Sequence, residues 1–197
     1  MNDCIDDILD FWFGELDSAG IPVTNRNPLW FSRDDAVDAE LQQRFGSWLQ
    51  RGAAGELDHW AQDDRGLVAL VILLDQFSRN IHRGSPLSFA ADARALGLAR
   101  AAIDSGRHEG LPIVHRAFLY MPLEHCEDLG AQEDCIALFA TLADASGGHD
   151  IIRSFERYAV AHRDVIARFA RFPHRNALLG RTSSEEELDY LEKHGGF

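Results

Sequence analysis

Lysine is almost missing from this 197-residue chain: Lys193 stands alone against eighteen arginines. Basic charge as a whole is short, with 19 Lys and Arg against 32 Asp and Glu and a formal charge of −13. A nucleic-acid surface neutralises phosphates over a broad basic face, so an acidic chain with scattered carboxylates is expected to have no nucleic-acid partner. Cysteine is scarce too. Cys4, Cys126 and Cys135 are odd in number and contain no C-x-x-C pair, which fits neither a disulfide framework nor a four-cysteine zinc site and agrees with a reducing compartment. Long hydrophobic runs are also lacking: the longest, Leu67 to Leu74, falls far short of the ~20 residues that span a bilayer. The start, MNDCIDDILDFWFGE, is acidic and has no charged, then apolar, secretory pattern. The expectation is a cytoplasmic protein with no membrane partner.

Alternating β-branched runs are hard to find, whereas apolar residues recur at helical spacing almost everywhere. The fold is expected to be all-α, one domain over residues 1–197, with eight or nine helices in stacked antiparallel hairpins or an irregular bundle. Ile5, Ile8, Leu9 and Trp12 give a first helix from about Cys4 to Phe13, followed by loop to about Pro28. Ser32 with Asp35 suggests the cap of a helix through Gln50, and a short helix follows near Glu56 to Gln62. From Asp64 to Phe77 the polar face vanishes, as in a helix enclosed by others. Ser85-Pro86 opens a helix to about Asp104, and Leu111-Pro112 opens one kinked by Pro122. Residues 131–145 and 150–171 read as a hairpin joined through Ser146-Gly147-Gly148, and Ser183 with Glu186 as the capping box of a last helix.

Three polar segments stand at the ends of apolar helices. In LLDQFSRNIHRG, Asp75 and Arg79 are four apart and can pair; a guanidinium fork also suits a carboxylate or phosphate, which makes Arg79 and Asn80 candidate ligand contacts. In FLYMPLEHCEDL, Glu124 and His125 follow a proline, while Glu127 and Asp128 read as a solvated helix end. The spacing meets no strong metal-ligand pattern, so no metal and no cofactor is expected. The third segment lies in the only cationic stretch, where seven arginines from Arg153 to Arg181 face Glu156 and Asp164. There Ile151, Phe155, Tyr158, His162, Ile166 and Phe169 share one stripe, which turns His162 inward. Arg153, Arg157, Arg168 and Arg171 fall on a solvated face. Pro173 ends the helix and leaves His174, Arg175 and Asn176 on a turn, with Arg163 and Arg181 close in sequence.

LDQFSRN, FLYMPLEHCEDL and HRDVIARFARFPHRNALLGRTSSEEE together resemble the three signature segments of an uncharacterised bacterial family, domain of unknown function 924, over nearly the whole chain. The middle signature usually has Ser where Cys126 stands, and the last usually has Gly where Ala170 stands. The resemblance implies an all-helical fold similar to the tetratricopeptide-repeat superfamily; it implies no activity and assigns no catalytic residue.

The leading functional reading is a pocket where the three segments meet to hold a small anionic ligand or an acidic peptide end. Arg79, Arg163, Arg175 and Arg181 are its anion contacts; Asn80, Glu124, His125, His162, His174 and Asn176 complete it. A second reading is an acid/base hydrolase of an anionic metabolite using His162, His174 or Glu124; Ser78 and Cys126 are the nearby nucleophiles, and neither lies in a nucleophile motif. A third is a scaffold with a broad surface for a protein partner, on fold analogy alone.

Overall fold

The computed structural model describes residues 3–196, with the side chain of Asp3 left out of the description. Nine α-helices succeed one another along the described residues: α1 (Asp3–Phe13), α2 (Asn27–Phe31), α3 (Asp35–Ala53), α4 (Asp64–Ile72), α5 (Asp92–Asp104), α6 (Ile113–Glu124), α7 (Leu129–Ala145), α8 (Asp150–Phe169) and α9 (Glu185–His194). The α4 rod continues through a π-helical turn, Leu73–Phe77, and a last α turn, Ser78–Ile81. Among the described residues there is no strand, only an isolated bridge between Leu16 and Pro22. The all-α expectation holds.

α4 is the centre. Every residue from Leu67 to Leu74 is buried, because α1, α3, α5 and α6 all pack around this rod. Its apolar side chains therefore meet partners in every direction, which is why the sequence shows no polar face there. Aromatic rings fill the spaces between helices: Trp12 and Phe45 lie 5.5 and 5.0 Å from Phe77, and Phe118 lies 5.8 Å from Trp12 and 5.5 Å from Phe155, mostly edge to face. α6, α7 and α8 form the second half, each packed on the next.

Several boundaries differ from the sequence reading, for local reasons. The loop before Pro28 ends early in α2, where Pro28 sits in the first turn. The cap of α3 is Asp34, whose carboxylate accepts from the Ala36 and Val37 amides, and not Ser32; the helix runs three residues past Gln50 to Ala53. The short helix near residue 56 is a 3-10 turn, Asp58–Gln62. Ser85 does cap a helical turn, but only the 3-10 turn Pro86–Phe89, and α5 starts afresh at Asp92. The capping box of α9 is Ser184 with Glu187, one residue later than expected; Ser183 instead accepts a hydrogen bond from the Asn176 amide at 3.0 Å.

On α8 the buried residues are Ile152, Phe155, Ala159, His162, Val165 and Ile166, a stripe rotated from the expected one; Tyr158 is exposed. The outer arginines are more than a solvated face. Arg168 pairs with Glu186 at 2.7 Å, and Arg171 grips the buried Glu187 through Nε and Nη2 at 2.6 and 2.8 Å, so both fasten α9 to α8.

α8 ends on Ala170 with φ +57°, the left-handed conformation, in which its amide still donates to Ile166. There Cβ crowds the following carbonyl, and glycine escapes that cost. Ala170→Gly is expected to stabilise the protein by about 1 kcal/mol and raise Tm by about 2–4 °C. A calorimetric melt showing no gain would mean that the backbone relaxes at this cap.

Candidate functional site

The π turn in the central rod places the first component. One extra residue in a helical turn rotates the rest of the helix about its axis, and such turns recur at functional sites. Here it buries Asp75 and Gln76 inside the helix bundle. Asp75, 1% exposed, is held on both oxygens: Oδ1 accepts from His125 Nδ1 at 2.7 Å and Oδ2 from Gln76 Nε2 at 2.6 Å. Arg79 Nη1 lies 3.2 Å from Oδ1 and donates to the Asp75 carbonyl at 3.0 Å. Burial alone would raise the Asp75 pKa, but Arg79 and His125 hold it below the usual carboxylate range; a buried carboxylate with this many donors remains ionised.

Arg79 has a second carboxylate. Asp92, the first residue of α5, takes its fork in parallel at 2.9 and 3.0 Å and also lies 3.5 Å from Arg175 Nη1. Arg175 sits in the 3-10 turn after Pro173, its guanidinium 4.7 Å from the ring centre of Phe89 and 4.4 Å from that of Phe172. It is buried, and its Nε has no hydrogen-bond partner among the described residues. Burial and the neighbouring Arg79 push its pKa down to about 10, so the charge is retained but poorly compensated.

The end of α6 supplies Glu124 and His125, the helix closing at Glu124 just after Pro122. Glu124 is 3% exposed; its Oε1 lies 3.1 Å from His162 Nδ1, and Oε2 has no hydrogen-bond partner among the described residues. Burial, with Asp75 nearby and Arg79 only partly opposing, pushes the Glu124 pKa up to about 8. The protonated carboxyl is thereby favoured near neutral pH. His162 donates Nδ1–H to the Tyr158 carbonyl at 2.8 Å. Burial depresses His162 to about 3, helped by His125, and His174 to about 4, helped by Arg175. His125 is depressed by burial and by Arg79, against the pull of Asp75.

These groups line one cavity of about 590 Å3. Gln76, Arg79 and Asn80 come from the first segment, Glu124 and His125 from the second, and His162, His174 and Arg175 from the third. Apolar walls come from Trp30, Phe89, Met121, Phe155 and Leu178. The exposed Phe31 and Tyr158 mark the side open to solvent, their rings 6.5 Å apart and nearly parallel. The amide of Asn80 is engaged with Asp38, at 2.8 Å. Among the described residues, no group of three His, Cys, Asp or Glu side chains is arranged to hold a metal ion.

The sequence matches, over residues 8–195, the model of a family described as bacterial proteins of unknown function, DUF924. The chain belongs to this family. A solved structure of a protein of unknown function, ATU0120 from Agrobacterium tumefaciens, is similar at 36% identity and a TM-score of 0.79, covering 96% of this chain and 97% of that one. No curated protein matches.

The DUF924 signature segments thus converge, but not every polar residue in them reaches the cavity. Arg163 points elsewhere and pairs with Asp164 at 3.2 Å. Asn176 is buried and bonded to Ser183. Arg181 makes a two-pronged pair with Glu127 at 2.6 and 2.9 Å, and Glu127 also accepts from the Phe172 amide at 2.8 Å. Glu127 is therefore no solvated helix end: it and Arg181 brace the loop that carries Arg175. Asp128 caps α7 through the Ala131 amide. Cys126 is pushed above the usual thiol range by burial and Asp128, so its thiolate is disfavoured.

Asp92 was missed by sequence reasoning. It lies in the Ala-rich AADARALGLAR, where an acidic residue in a first helical turn is ordinary. No signal in the chain distinguishes it.

No helix among the described residues is long and apolar enough to cross a membrane.

Proposed function

We propose that the cavity binds a small molecule with an anionic group, and that Arg175 is the principal anion contact. The observation that carries this is the state of Arg175: a buried guanidinium between two rings, beside a second arginine, with one long ion pair to Asp92. Arg79, by contrast, is already matched by Asp75 and Asp92, so its role is to position Asp92 and set the local potential. A planar guanidinium with an Nε–H that has no partner among the described residues favours a carboxylate or phosphate. The volume suits a small molecule, and the aromatic lining favours one with an apolar or planar portion.

Titration calorimetry with benzoate, acetate and inorganic phosphate tests this. Benzoate is expected to bind one to one and more tightly than acetate, and Arg175→Gln to weaken it by about tenfold or more, the worth of a charge-assisted hydrogen bond. Binding that ignores Arg175→Gln would remove the anion role from this residue.

A further inference from the structure

We propose that His125, positioned by Asp75, is a general base that takes a proton from a water molecule or a hydroxyl group held in the cavity. This deepens the reading of the cavity as a ligand site and rests on its being open to small molecules.

The two carboxylate oxygens of Asp75 are fixed by different donors, one by His125 Nδ1 at 2.7 Å and one by Gln76 at 2.6 Å. An ionised carboxylate can only accept, so Nδ1 of His125 carries the hydrogen and Nε2 carries the lone pair. Nε2 lies on the opposite ring edge and makes no hydrogen bond to any described residue. The side chain is 11% exposed and lines the cavity. When a bound O–H gives up its proton, the proton goes to Nε2, the bonding electron pair stays on the oxygen, and Asp75 stabilises the imidazolium formed. Arg175 is nearby to stabilise negative charge on the molecule that has lost the proton.

The other two cavity histidines are less suited. His162 spends Nδ1 on the Tyr158 carbonyl, and burial and the neighbouring His125 oppose its protonation. Burial and Arg175 oppose protonation of His174; burial and Arg79 oppose that of His125 too, but there the bond to Asp75 at 2.7 Å fixes the tautomer and stabilises the imidazolium.

Diethyl pyrocarbonate reads the lone pair without a known substrate. A neutral imidazole nitrogen attacks its carbonyl to form the N-carbethoxy adduct, and carbon dioxide and ethanol are released. At neutral pH, peptide mass spectrometry is expected to show His125 modified at least as fast as His59, which is exposed on the 3-10 turn. Asp75→Asn is expected to slow His125 by about tenfold or more through loss of the fixed tautomer, with His59 unchanged. An inert His125 in wild-type protein beside a reacting His59 overturns the proposal, as does a His125 rate that Asp75→Asn leaves unmoved. If benzoate does not bind and His125 still reacts, the anion reading fails and the base stands; benzoate binding with inert His125 is the reverse.

Discussion

Asp75→Ala is expected to destabilise the protein by about 3–5 kcal/mol, the cost of breaking a buried ion pair from one side. The carboxylate is the acceptor for His125, for Gln76 and for one edge of Arg79. Its removal strands three donors on the inner wall of the cavity. For a chain of this length the loss corresponds to a fall in Tm of roughly 6–20 °C. Urea unfolding checks it, and a cost under about 1 kcal/mol would show that Asp92 and the π turn hold Arg79 unaided.

The second large effect is in pH. Glu124 has a folded-state pKa near 8 against an ordinary 4.5, so the native state binds its proton more tightly than the unfolded chain does. Stability from this group is complete below its unfolded pKa and is lost as pH rises through 8. His162 at about 3, and His174 and His115 at about 4, lie below the ordinary 6.5. Their contribution is present above 6.5 and lost as pH falls toward those values. These imidazoles, joined by His108 and His125, which burial also depresses, outweigh one carboxyl between 4.5 and 6.5, and from 6.5 to 8 the carboxyl dominates, so stability should peak near pH 6.5. Glu124→Gln keeps the shape and removes the titration; it is expected to match wild type at about pH 4.5, to exceed it by about 2 kcal/mol at about pH 6 and by about 5 kcal/mol at about pH 9. Equal melting curves at the higher pH would show that Glu124 ionises there without penalty.

Helical periodicity in α1, α3 and α7 was enough to locate those helices, because each has one buried stripe and one wet face. The rod showed itself by the opposite sign, the missing polar face from Leu67 to Leu74. What the sequence did not contain was the π turn. LLDQF differs in no local propensity from an ordinary last turn, and the Asp75–His125 contact that accompanies the bulge joins residues fifty apart in sequence. The same limit explains Asp92 and Glu127: a first-turn aspartate and a post-helix glutamate are common surface features, and only the fold sets an arginine against each. His162 and Arg175 were legible, one as a polar break in an apolar stripe and the other as a cation after a helix-stopping proline. Arg163, Asn176 and Arg181 shared that sequence neighbourhood without sharing its direction, since on a helix or tight turn adjacent residues point apart.

Asp92 joins parts of the chain that are far apart in sequence. One carboxylate serves Arg79 on the central rod and Arg175 on the loop after α8, so Arg175 shares its counterion with an arginine that also holds Asp75. Substitutions at 79, 92 and 175 should therefore be non-additive: removing Arg79 frees Asp92 to close fully on Arg175, and removing Asp92 leaves two like charges facing each other. In a double-mutant cycle the three positions behave as one unit, and a family member that changes one of them has to change what it can tolerate at the other two.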